Sequence, residues 1–124
     1  MTVAVVFLAR GIGGGLSSLR GFLESYSLHS AGLVHDLVIL LKGWEEPMEL
    51  LEAEGLARAA GARSLTLPDD GFDWAAYRRA AEHLPHEFAC FLNTHSRIRA
   101  DGWLSILRQA VAEVTDLANL AVPA

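Results

Sequence analysis

Val3-Ala4-Val5-Val6-Phe7-Leu8-Ala9, broken at once by Arg10-Gly11-Ile12-Gly13-Gly14-Gly15, is the stretch that decides the fold. Seven apolar residues without alternation predict a strand covered on both faces, which is the habit of a parallel sheet. The glycines end the strand. Leu16, Leu19, Leu23 and Tyr26 then recur at helical spacing, predicting a helix over about Gly15 to Leu28. The same alternation continues downstream. Val34 to Leu41 reads as a second buried strand stopped by Lys42-Gly43-Trp44. Pro47 suits the first turn of a second helix, and Gly61 suits its C-terminal end. Ser64 to Leu67 reads as a short third strand. Asp70 or Asp73 is placed to cap a helix carrying Trp74, Tyr77 and Ala81 on one side. Phe88 to Leu92 is a fourth strand, and Leu104, Leu107, Val111 and Val114 give a last helix its apolar face. Strands that alternate with helices imply right-handed crossovers. The expected fold is therefore α/β, a Rossmann-like three-layer α/β/α arrangement around a mainly parallel four-stranded sheet.

The bulk composition narrows the partners. A chain of 124 residues with 52% hydrophobic content can bury a core and is expected to form one domain, over residues 1–115 with a tail over 116–124. The formal net charge is −5, from 15 acidic and 10 basic residues, and the arginines are scattered. Binding to nucleic acid or to an anionic lipid surface needs clustered Lys and Arg, so neither is expected. The single Cys90 sits in an apolar run and reads as a buried structural thiol. No apolar run approaches the roughly 20 residues of a membrane span, and no stable membrane insertion is expected. The opening apolar run lacks a preceding basic region, so it reads as a core strand, and the expected location is the cytoplasm.

In open α/β sheets, ligands are held at the carboxyl ends of the strands. Three sequence features fall there. The glycine turn opens a helix, whose N-terminal amides favour an anion. It lacks the Gly-Lys-Ser ending of a P-loop, and Leu16 stands where a dinucleotide fingerprint needs a small residue. Lys42 replaces the acid that would hold a ribose hydroxyl, so NAD binding is not expected, and a merely flexible loop is the rival to a phosphate cradle. Asp69, Asp70 and Asp73 form an acidic loop that reads either as a hard-cation site or as helix capping and solvation. Asn93, His95 and Ser96 close the fourth strand. An imidazole and an amide oxygen can ligate a metal, whereas a hydrogen-bonded structural histidine is the plainer reading. The chain has no His-Glu-x-x-His helix, no paired-Cys spacing and no Gly-x-Ser-x-Gly elbow. Trp103 reads as packing on the sheet.

Taken in order, Leu67-Pro68-Asp69-Asp70-Gly71-Phe72-Asp73, Tyr77, Phe88-Ala89-Cys90-Phe91-Leu92-Asn93-Thr94-His95-Ser96 and Asp101-Gly102-Trp103-Leu104 resemble the nucleotide-binding half of inverting, GT-A-type (family-2-like) nucleotide-sugar glycosyltransferases. The opening strand and Phe22-Leu23-Glu24-Ser25 fit as well, and a subset of bacterial cell-surface polysaccharide transferases is similar in the Phe-Leu-Asn-x-His-Ser wording. The resemblance implies a truncated GT-A fold that binds a nucleotide diphosphate sugar through Ala9, Arg10, Gly11, Lys42, Asp70, Gly71, Asn93 and His95. It implies a manganese or magnesium ion on the diphosphate near Asn93 and His95. Two departures stand out: Asn93 and His95 replace the family's metal-binding aspartates, and Lys42-Gly43 replaces an acidic pair. The family's general base lies in a second half, so no catalytic residue is assigned. Two other readings are carried. One is a non-catalytic module, a shortened homologue or fragment that homo-oligomerises through an uncovered strand edge. The other is a different Rossmann-like enzyme that holds phosphate at the glycine turn.

Overall fold

The computed structural model describes the backbone of residues 2–121 and the side chains of residues 2–112. Strands and helices alternate without exception: β1 (Val3–Arg10), α1 (Gly15–Leu28), β2 (Asp36–Lys42), α2 (Pro47–Ala59), β3 (Arg63–Leu67), α3 (Asp73–His83), β4 (Phe88–Leu92) and α4 (Trp103–Ala121). All three strand pairings are parallel and the sheet order is β3-β2-β1-β4. The architecture is the expected Rossmann-like three-layer α/β/α sandwich.

Period-two geometry divides each strand between two cores. On one face Val3, Val5, Phe7, Ala9, Leu37, Ile39 and Leu41 pack under Leu19 and Phe22 of α1, Ala53 and Ala57 of α2, and Leu104 of α4. The rings of Phe7 and Phe22 stack at 4.0 Å between centroids. On the other face Ala4, Val6, Leu8, Val38 and Leu40 pack under Ala76 and Ala80 of α3. Small alanines let α2 and α3 lie close against the sheet.

Several boundaries and faces differ from the sequence expectation. β2 starts at Asp36, and Val34 is 94% exposed. The loop before β2 is held by His35, whose Nδ1–H donates to Leu33 O and whose Nε2 accepts from Tyr26 O–H of α1. The packed face of α3 is Ala76, Tyr77 and Ala80, while Trp74 is 74% exposed and Ala81 is exposed. Size misled the reading: two short alanines fit the gap above the sheet where an indole does not. Neither proposed aspartate caps α3, because Phe72 occupies the cap position, Asp73 is the first helical residue and Asp70 bonds Arg79. Of the expected apolar stripe on α4, Leu104 is fully buried, Leu107 and Val111 are each 44% exposed, and Val114 lies outside the described side chains. The backbone of α4 continues through the expected tail to Ala121; residues 122–124 lie outside the described residues.

Candidate functional site at the strand ends

The order β3-β2-β1-β4 places a topological switch between β1 and β4, because the chain winds away from β1 through β2 and β3 and then returns to β1's other side. Such switches open a crevice at the carboxyl edge. Register makes this one. Phe7 pairs with Leu92, the last residue of β4, while β1 runs on through Leu8, Ala9 and Arg10. Thr94 fills part of the step: it is 4% exposed and its Oγ1–H donates to Leu8 O at 2.9 Å. Above it lies a crevice of about 130 Å³ lined by Arg10, Ile12, Gly13, Asp73, Asn93, Thr94 and His95.

The glycine turn is built into this crevice. A Cβ on Gly14 would stand 2.5 Å from Thr94 Cγ2 and 2.8 Å from Ser18 Oγ, so this residue is small because the β4 turn presses on it. Gly13 has φ +87° and open space where a side chain would stand. α1 begins next to it with no side-chain cap and no acid in its first turn.

The β4 turn is ordered by Asn93. Its Oδ1 accepts from His95 N–H at 3.0 Å and from Ser96 Oγ–H at 3.2 Å, and its backbone oxygen accepts from Ser96 N–H. The amide oxygen is therefore engaged, and the NH2 end is left as a donor. His95 is exposed. Arg10 Nη1 lies 3.8 Å from Asp73 Oδ1, a charge contact beyond hydrogen-bond length, with both side chains close to half exposed. Tyr77 stands on the α3 side of the site, its ring 4.9 Å from Phe91. Burial, with Asp73's charge second, pushes its phenol up to about 12.

The structure thus gathers Arg10, Asn93 and His95, and separates the other residues expected to meet a ligand. Ala9 is buried and its carbonyl accepts Trp44 Nε1–H at 2.8 Å. Gly11 donates its N–H to Lys42 O, and a Cβ there would collide with Gly43 O and Trp44 Cα, so this glycine serves a close backbone approach. Lys42 is 2% exposed and does not face the crevice; its ammonium donates to Gly71 O at 3.0 Å and Phe72 O at 3.4 Å. Asp70 bonds Arg79 at 3.1 Å, and Gly71 contributes its carbonyl to Lys42. The three loop aspartates do not converge. Asp69 rests against Gly43, Asp70 turns to Arg79 and Asp73 to Arg10. Among the described residues no group of three or more His, Cys, Asp or Glu side chains is placed to hold a metal ion. Trp103 packs partly buried on the first core, as expected, and its buried Nε1–H has no partner. Cys90 is half-buried against the same core, which raises its thiol. Ile12 and Gly13 of the glycine turn and Asp73 of the acidic loop were read from the sequence as separate candidates and meet here in one lining, to which Thr94 is added. Their signal was the overhang of β1 past β4, which only the register reveals.

No helix among the described residues is long and apolar enough to cross a membrane. Compared with family models, curated proteins and solved structures, the chain matched none.

Proposed function

We propose that this domain binds a nucleotide diphosphate sugar, with the diphosphate in the crevice between β1 and β4. The observation that carries the reading is that Arg10, His95 and the open glycine turn meet at the switch point. A guanidinium offers fixed charge and paired donors to phosphate oxygens. The Asn93 NH2 and the uncapped start of α1 add uncharged donors. A crevice of about 130 Å³ is small beside the usual several-hundred-Å³ ligand pocket, so it takes the charged linkage and leaves base and sugar on the surface around it. The order of motifs from Leu67 to Leu104, which resembles the nucleotide-binding half of GT-A-type glycosyltransferases, supports the same ligand class. The proposal is one of binding, since no residue is assigned as the base that glycosyl transfer requires.

The donor set is a poor match for a resident hard cation. Asn93 Oδ1 already accepts two hydrogen bonds, and Asp73 is the one carboxylate lining the crevice among the described residues. Manganese or magnesium would have to draw most of its ligands from phosphate oxygens and water. Isothermal titration with UDP-, GDP- and dTDP-sugars tests the reading. Saturable binding of at least one is expected, weakened about tenfold by Arg10→Gln through loss of a charge-assisted contact and little altered by manganese. No heat from any of the three would dispose of it.

A second reading, self-association, is favoured by a different observation: β4 is an edge strand with one partner, β1. We propose that a second copy of the chain pairs there.

A further inference from the structure

We infer that Asp73 selects the ligand of this crevice, admitting a phosphoryl group joined to a hydroxyl-bearing sugar ring and disfavouring a bare polyphosphate. This rests on the reading of the crevice as a diphosphate site. Asp73 opens α3, and an acid at a helix start has a plain structural explanation in the helix dipole. That explanation does not account for its direction. The carboxylate reaches the crevice wall beside Arg10, yet at 3.8 Å it forms no hydrogen bond with it. The neighbouring acids are turned elsewhere, Asp70 to Arg79 and Asp69 to Gly43. The crevice therefore presents a cation in loose charge contact with a carboxylate whose hydrogen-bond acceptors are not taken up by it. A carboxylate accepts from O–H donors and repels a second anion. A sugar nucleotide brings both a phosphate for Arg10 and ring hydroxyls for Asp73, whereas pyrophosphate brings only negative oxygens.

The residues on either side of Asp73 in the chain point to the same chemistry. Phe72 and Trp74 are 87% and 74% exposed. Each leaves a flat apolar ring in water one position from Asp73 in the chain, and such a ring complements the C–H face of a sugar.

The test compares pyrophosphate with the best-bound sugar nucleotide by calorimetry, in the wild type and in Asp73→Asn, with Asp73→Ser as a second variant and circular dichroism confirming the fold. Removing one like charge a few ångströms from the phosphate is worth about fivefold at high dielectric. Pyrophosphate is expected to bind about fivefold more tightly to Asp73→Asn, whereas the sugar nucleotide, which gains the same relief at its phosphates but loses its hydroxyl acceptor, is expected to gain less than about twofold. A ratio that stays within twofold of the wild type, or equal weakening of both ligands, overturns the inference while leaving the crevice reading intact. Absence of binding by every sugar nucleotide overturns that reading and the inference with it.

Discussion

Tyr77 shows how one residue reports on the site. Its phenol is held at about 12 by burial first and by the Asp73 carboxylate second. The folded value exceeds the ordinary phenol value of about 10, so folding favours the protonated phenol. That contribution is whole below pH 10 and is lost as pH rises toward 12. Burial also raises Tyr26. Ultraviolet titration of the folded protein should therefore show both phenols ionising above the ordinary value, Tyr77 near 12, and Asp73→Asn should move one phenol down. Two phenols ionising together at their ordinary value would contradict this placement. The sequence put Tyr77 correctly on the packed side of α3 but gave no hint of its link to Asp73. Aspartate near a helix start has a common structural use, and only the register of β1 against β4 reveals that this one turns into a crevice.

At the scale of elements, the junction between β2 and the β3–α3 loop decides how the site is held. Lys42 ends β2 as a buried ammonium whose bonds run to Gly71 O and Phe72 O. Those carbonyls immediately precede Asp73, so Lys42 fixes the start of α3 relative to β1. Lys42→Met keeps the stem and removes the donors; Phe72 O keeps its bond from Ala75 N–H, and Gly71 O, on an exposed loop, exchanges the ammonium for water, at a cost of about 1 kcal/mol for the lost bond. Hydrogen exchange should quicken in amides 70–74 while those of β1 remain protected. Unchanged exchange in that loop would show that the ammonium does not hold it. The elements themselves were largely legible, because unbroken apolar runs and 3.6-residue spacing are local signals. β4 and α1 fall on their predicted bounds. What was not legible depended on contact between elements: the exposed Val34, the outward Trp74, and a lysine that seemed to face a ligand and instead braces a loop.

On the scale of the whole molecule, the two edges of the sheet are unlike. β3 begins with Arg63 and has exposed polar positions, the kind of protection that keeps an edge from pairing. β4 reads Phe88-Ala89-Cys90-Phe91-Leu92, with neither charge nor proline, and Phe91 is 37% exposed. The Arg108 guanidinium lies 5.4 Å from the Phe88 ring. α4 adds Ile106, Leu107 and Val111, between 44% and 63% exposed. A second copy related by a twofold axis would pair β4 with β4 and cover part of this apolar surface, since such an interface is self-complementary. The net charge of −5 opposes association weakly and is screened by salt. Light scattering should therefore give a mass that rises with concentration toward twice 13.4 kDa, and more readily at higher salt. Phe91→Lys places a charge on the edge, and Leu107→Glu places one on the helix. Each should hold the protein at its monomer mass with an unaltered circular dichroism spectrum. Loss of association in Leu107→Glu alone would assign the contact to α4 and not to the strand, and a wild type that stays monomeric at high concentration and high salt would remove the proposal.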